Sequence, residues 1–424
     1  MNDGGIFTVR YPEWWVAKSM TDTANGIGLL RTRTEGGQRV TNFEVFFDLV
    51  YVFAVTQLAH LLISHLSLLG AAQTLLLLLA VWWAWVYTAW ITNWFNPDRS
   101  TVRLVLLGVM LVSLIMSASL PEAFTTRGLV FAGAYVVIQV GRSIFAVAAL
   151  SSQPQLRRNF QRILAWSAAS GVLWLVGGLI QGMTREALWL GAVIVDYLAP
   201  AAGFYTPGLG RSSTRDWTIT GTHLAERCQL FLIIALGESI LDTGTSFGAL
   251  SWTISSVVAL VVAFVGTVAL WWIYFYRSAE GGQKVIGAAV DPGRLGRSAY
   301  TYFHLPMVAG IIVTAVADEL TIAHSDSQTQ ATTAAVIVSG AALFLAGHAL
   351  FKWALSGRFI VSHLVGIVAL GMLVPIGVVA HSLILAVVAT LILVTVAAWD
   401  TWCGGNAAQP EQDASGQPVT HPPG

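Results

Sequence analysis

The sequence predicts an all-α integral membrane protein of about twelve transmembrane helices, folded as a parallel 6+6 repeat. Three observations predict it. Of the 424 residues, 55% are hydrophobic and only 10% charged, and the mean hydropathy is +0.69. A soluble domain carries roughly 25% charge, so this chain has too few charges to cover a water-facing surface. Second, apolar runs near the roughly 20 residues that span a bilayer occur at 43–64, 69–95, 104–120, 129–150, 161–183, 187–205, 224–243, 253–276, 300–317, 329–353, 358–379 and 381–399. Third, the connecting segments alternate in charge. With the N-terminus inside, all but four of the 22 Lys and Arg residues fall on the inside, the pattern expected of cytoplasmic loops. Arg127 and Arg185 fall outside, and Arg142 and Arg227 lie within runs.

In chain order, residues 1–40 form a polar cytoplasmic segment, with Trp14 and Trp15 suited to a membrane interface. They hold no long apolar core of the kind a secretory signal needs. Residues 41–205 make the first membrane half, 206–223 a cytoplasmic loop and 224–400 the second half. Residues 401–424, rich in Gly, Pro and Gln, read as a disordered cytoplasmic tail. Asp196 and His304 interrupt the runs at 187–205 and 300–317. The repeat rests on ordered matches. Glu44 pairs with Glu226, Trp82-Trp83 with Trp271-Trp272, and Gly141-Arg142-Ser-Ile-Phe145 with Gly347-His348-Ala-Leu-Phe351. Six helices return the chain to the same side, so the halves would be related by an axis along the membrane normal.

Composition also limits partners. A formal net charge of zero offers no basic field for nucleic acid. Cys228 and Cys403 are too few for a disulfide framework and lack metal-ligand spacing. On the cytoplasmic side they stay reduced. No metal and no cofactor is expected. The partners left are the lipid bilayer of the cytoplasmic (inner) membrane, a small ion or solute, and a second copy of the chain.

The candidate functional residues are polar groups inside apolar runs, where a charge is costly enough to mark function. Glu44, Asp48, Gln57 and His60 lie in the first run. Glu44 and Asp48 are one turn apart and share a helix face. Thr41-Asn-Phe-Glu44 also fits a capping box, which gives Glu44 a purely local role. Asp48 needs a partner, and similar depth in the inner half of the bilayer selects Arg142. That pair reads either as packing or as a working site. Glu238, in Leu236-Gly-Glu-Ser-Ile240, lies fourteen residues beyond Leu224, about 21 Å into the bilayer. It leads the candidates, its alternative being a neutral hydrogen-bonded side chain. In the repeat it corresponds to Thr56. His348 and His363 add groups that titrate near neutrality, and Asp196, Glu226 and His304 complete the set; buried histidines also serve as plain hydrogen-bonded packing. The tryptophan clusters read as packing or interface anchors.

These motifs have a wider likeness. Asn42–His60 (NFEVFFDLVYVFAVTQLAH), Asn93–Arg99 (NWFNPDR), Gln139-Val-Gly-Arg142, Glu226-Arg-Cys-Gln229 with Ala235–Ile240, and His304–Gly310 (HLPMVAG) resemble the low-temperature-requirement protein A (LtrA) family over about residues 38–400. The resemblance implies a bacterial multi-pass membrane protein and no defined mechanism. Asn96 stands where the family leads one to expect an acid. The Phe46-Phe47-Asp48 element is also similar to the Phe-Ser-Asp signature of a six-plus-six-helix potassium channel family, an analogy of pattern.

Three functions fit. The first is a transporter or ion-conducting protein that uses intramembrane carboxylates. The second is a membrane-embedded enzyme on a lipid-like substrate, with Glu238 or Asp48 as acid/base; catalytic residues are otherwise unassigned. The third is a non-catalytic scaffold or sensor.

Overall fold

The computed structural model describes residues 28–31, 39–217, 219–276, 278–377 and 380–406. Trp14, Trp15 and most of the two polar ends lie outside the described residues. Among those described the chain is all-α, with only isolated β-bridges. Its main helices are α1 (Asn42–Ser64), α2 (Leu68–Ile91), α3 (Ser100–Ser119), α4 (Gly128–Ala149), α5 (Pro154–Leu179), α6 (Met183–Leu198), α7 (Gly221–Gly248), α8 (Ile254–Phe275), α9 (His304–Ala323), α10 (Ala331–Ser356), α11 (Val361–Gly377) and α12 (Ser382–Asn406). A helix at Ser278–Gly287 and a π-helical stretch at Gly296–Tyr302 lie between α8 and α9.

Ten helices of the described residues are long and apolar enough to cross a membrane. The expected twelve exceed this by α6 and α11, of 16 and 17 residues. Their shortness has local causes. Gly182, at φ +73°, opens α6, and Pro200 follows its end. Gly357, at φ +70°, closes α10 before α11, and Pro375 lies in the last turn of α11. Proline removes a backbone donor and clashes with the preceding turn.

The same helix pairs pack in both halves. In the first, α1 packs on α2 and α3, α3 on α4, α4 on α5, α5 on α6, and α2 on α6. In the second, α7 packs on α8 and α9, α9 on α10, α10 on α11, α11 on α12, and α8 on α12. The halves meet where α1 packs on α7 and α9. Side chains depart from this correspondence. Trp82 is buried and donates to the Thr301 carbonyl at 2.7 Å, whereas Trp271 and Trp272 lie on an exposed face.

Small residues set the closest approach, between α9 and α10. A Cβ on Gly310 would lie 2.6 Å from the Phe344 nitrogen, and one on Gly340 2.7 Å from the Thr314 nitrogen. Without a water-driven force between helices, such backbone proximity is a main source of association. Gly340→Leu is therefore expected to force α9 and α10 apart, lowering the apparent melting temperature in detergent by the equivalent of about 1–3 kcal/mol. Gly371→Leu, where an added Cβ meets nothing within 4 Å, is the control. Equal melting of the two variants would refute the packing argument.

Candidate functional site

The site at the junction of the halves begins with the cap of α1. Thr41 Oγ1 accepts from the Glu44 amide at 3.3 Å, and Glu44 Oε2 accepts from the Thr41 amide at 3.0 Å. The capping box therefore forms, and the same carboxylate also enters an ion-pair network. Arg227 of α7 reaches Glu44 Oε1 at 3.2 Å, His223 Nε2 lies 3.0 Å from that oxygen, and Arg31 Nη2 lies 2.7 Å from Oε2. One turn on, Asp48 receives Arg227 in bidentate fashion, Nη2 to Oδ1 at 2.6 Å and Nε to Oδ2 at 3.1 Å. Trp85 Nε1 donates to Oδ1 at 2.7 Å. The guanidinium carbon lies 5.7 Å and 5.9 Å from the Phe47 and Trp85 ring centroids. Glu44, Asp48, His223 and Arg227 are all 0% exposed. Two carboxylates face two guanidinium groups, so their formal charges cancel.

This arrangement corrects the expected partner of Asp48. Arg142 instead donates to the Ala84 carbonyl at 3.0 Å, to Thr88 Oγ1 at 2.8 Å, and to Gln139 Oε1. Depth explains the choice. Arg227 is three residues past Leu224 and Asp48 five past Phe43, about 5 and 8 Å inward, whereas Arg142 is about 12 Å from Leu150. Arg227 also lies on the helix packed against α1.

Other candidates serve separate networks. Gln139 Nε2 donates to Tyr135 Oη at 2.9 Å, and Tyr135 donates to Asp196 Oδ2 at 2.8 Å. Trp174 Nε1 also donates to that oxygen, at 3.3 Å. Glu226 Oε2 accepts from the Val40 amide at 3.1 Å. His304 contacts Tyr274 Oη at 2.8 Å through Nε2 and the Ala299 carbonyl at 2.8 Å through Nδ1. His348 Nδ1 and His363 Nε2 are 2.6 Å apart. Asn93 bonds both polar backbone groups of Thr220, at 3.0 and 2.6 Å, tying the end of α2 to the start of α7. Asn96 accepts from the Asp98 amide at 3.0 Å, a local turn bond that an acid there would also accept.

Glu238 is half-buried on α7 and accepts a hydrogen bond from Thr56 Oγ1 of α1. It has no ion-pair partner among the described residues. Gln57, half-buried, follows Thr56. A partly open cavity of about 60 Å³ lies apart from Glu238, among Trp83, Tyr87, Trp90, Trp94, Trp217 and Arg297. Indole, phenol and phenyl rings of unequal shape leave this space at the loop end of α2. Among the described residues, no group of three or more His, Cys, Asp or Glu is disposed to hold a metal ion.

Sequence reasoning passed over Arg227, His223, Trp85 and Arg31. For Arg227 a signal existed, since matched depth selects it once the two in-run arginines are compared. For Arg31, which reaches back from before the first run, no local pattern gives the contact.

No solved structure matches the chain. A curated relative from Rhizobium meliloti (strain 1021), named "Uncharacterized protein RA0937", is 39% identical over 364 residues, covering 84% of this chain and 88% of its own length. The family described as "Bacterial low temperature requirement A protein (LtrA)" matches residues 39–398. That span holds the capped carboxylate and its arginine partner on α7, and the chain belongs to the LtrA family.

Proposed function

We propose that this chain is a transporter or ion-conducting protein of the cytoplasmic membrane, acting on a small ion or solute. In this reading α6 and α11 complete twelve spans. Residues 41–205 and 224–400 form parallel halves around the loop 206–223, and both termini are cytoplasmic. The shared set of helix pairs in the two halves supports the repeat. The distribution of Lys and Arg supports the orientation. Short spans are accommodated by local thinning of the bilayer at modest cost.

One observation carries the functional reading. At the seam between α1 and α7, Glu238 meets a neutral hydroxyl, Thr56, and no cation among the described residues. A carboxylate inside a membrane protein needs a proton, a cation or a buried donor. The network of Glu44 and Asp48 with Arg31 and Arg227 is already charge-balanced and serves to hold the halves together at one end. Glu238 is the open position, and transporter sites lie at such repeat interfaces.

Flux into proteoliposomes across a panel of monovalent and divalent cations and a proton gradient tests this reading. Flux for one member is expected, and none across the panel would remove the ion-conducting reading. Topology is tested separately. Reporter fusions after Thr125 and after Asp400 are expected to report the periplasmic and cytoplasmic sides respectively. The same side for both would overturn the twelve-span arrangement.

A further inference from the structure

The second half contains a buried histidine chain that the transport reading does not use. His348 of α10 and His363 of α11 are both 0% exposed. Their rings stack at 4.8 Å, with Nδ1 of His348 2.6 Å from Nε2 of His363. At that separation one proton lies between the two nitrogens, since two facing N–H groups would clash and two lone pairs would repel. His363 Nδ1 then lies 3.6 Å from Asp400 Oδ2 of α12 and 3.2 Å from Ser362 Oγ, and Ser362 Oγ donates to Asp400 Oδ1. The Asp400 side chain is 24% exposed. At the other end, His348 Nε2 is buried with no hydrogen-bond partner.

The tautomers follow from these contacts. Asp400 favours a proton on His363 Nδ1. His363 Nε2 must then accept, so His348 Nδ1 carries the shared proton and His348 Nε2 keeps a bare lone pair. A buried, unpaired acceptor is costly. A proton added there would make the pair cationic, with Asp400 as its counter-ion. His304 does not share this opening. Its Nδ1 faces the Ala299 carbonyl and its Nε2 accepts from Tyr274, so both nitrogens are engaged. The remaining titratable groups around the pair are Tyr274 of α8, whose ring lies 6.1 Å from His348, and Lys352, one turn further along α10.

We infer that His348, His363 and Asp400 form a proton-binding relay that carries one proton between the interior of the second half and the partly exposed Asp400. In the outward step a proton bonds to His348 Nε2. The bridging proton then moves from His348 Nδ1 to His363 Nε2, His363 Nδ1 passes its proton to the Ser362 hydroxyl, and that hydroxyl gives its own proton to Asp400. One proton enters, one leaves, and no electrons are transferred. The reverse sequence delivers a proton from Asp400 to the interior and restores the starting tautomers.

The first half holds a counterpart that is chemically frozen. Arg142 on the fourth helix connects through Gln139 and Tyr135 to Asp196 on the sixth. The second half places His348 on its fourth helix and Asp400 on its sixth. A guanidinium keeps its proton across the physiological range, whereas imidazole exchanges it. Of these two chains, only the one in the second half can exchange a proton in that range.

The relay does not depend on the transport reading, so its test reads protons and not flux. Full-length protein labelled with ¹⁵N-histidine, in lipid nanodiscs, is titrated from about pH 9 to about pH 5, bracketing imidazole protonation. The variants His348→Gln and His363→Gln assign the two rings. The expected result is a pair of ring signals that change together in a single one-proton step. Asp400→Asn keeps the shape and removes the counter-charge, so the step should move to lower pH by about one unit, a tenfold weaker proton affinity. Two rings that titrate independently, or that stay neutral throughout, would overturn the relay. So would an Asp400→Asn protein that titrates as the wild type. If either histidine variant fails to fold, Asp400→Asn alone decides.

Discussion

Arg227→Met is expected to cost about 3–5 kcal/mol of stability, because it leaves a buried carboxylate without its partner. The wild-type network sets Glu44 and Asp48 against Arg31 and Arg227. Removing Arg227 alone leaves a net negative charge in a fully buried setting. Asp48→Asn leaves the opposite excess and should destabilise in the same range, although Asn retains an acceptor for the Trp85 indole. The double variant Asp48→Asn/Arg227→Met removes one charge of each sign. Glu44 then keeps Arg31 and His223, Trp85 keeps its acceptor, and the Met chain fills much of the space of the Arg stem. Recovery of most of the loss is expected, because replacing a buried pair entirely is far cheaper than breaking it. The measurement is apparent melting in detergent, followed by fluorescence-detected gel filtration. The single-variant losses should persist at high salt, since buried charges are screened little. Additive losses in the double variant would refute the pairing.

The same pair shows how much the sequence disclosed. Composition, run lengths and charge alternation disclosed the membrane class and the helix order because each is a local property of the chain. Helices α6 and α11 were harder to bound, since Gly182, Pro200, Gly357 and Pro375 trim helices whose apolar runs continue past them. Glu44 and Asp48 stood out because an acid in an apolar run is conspicuous. Their partner was misassigned because the two in-run arginines were not compared for depth, which favours Arg227, and the packing of α7 on α1 agrees with that choice. The His348–His363 contact was invisible. The two rings meet across the turn joining α10 and α11, whose geometry depends on the left-handed Gly357. Thr56 and Glu238, paired in the sequence only by the expected repeat, touch through a hydrogen bond between α1 and α7.

Glu238→Gln is expected to abolish cation- or proton-linked flux while leaving expression and melting close to wild type. The contrast with Glu44 explains why. Glu44 is held by its own cap, by His223 and by two arginines, so an arriving ion would have to displace bonds already made. Glu238 receives one hydroxyl bond from Thr56 and is half-buried, so binding capacity remains on the carboxylate. It lies seventeen residues into α7, which begins at Gly221, about 25 Å along the helix and away from the charge-balanced network at its start. The neighbouring Gly237 meets nothing within 4 Å where a Cβ would project, which leaves room beside the site. Glutamine preserves the length of the side chain and an oxygen to accept from Thr56, so packing and the α1–α7 hydrogen bond survive. It lacks the charge that a cation or a proton requires. Thr56→Val removes one hydrogen bond to the carboxylate, worth about 1.5 kcal/mol, and should reduce flux about tenfold without abolishing it. Proteoliposomes loaded to equal protein content, compared under identical gradients, measure both variants. Undiminished flux through Glu238→Gln would remove the carboxylate from the conduction path. Loss of flux accompanied by an equal fall in melting temperature would make Glu238 a structural hydrogen-bond partner of Thr56 instead of an ion ligand.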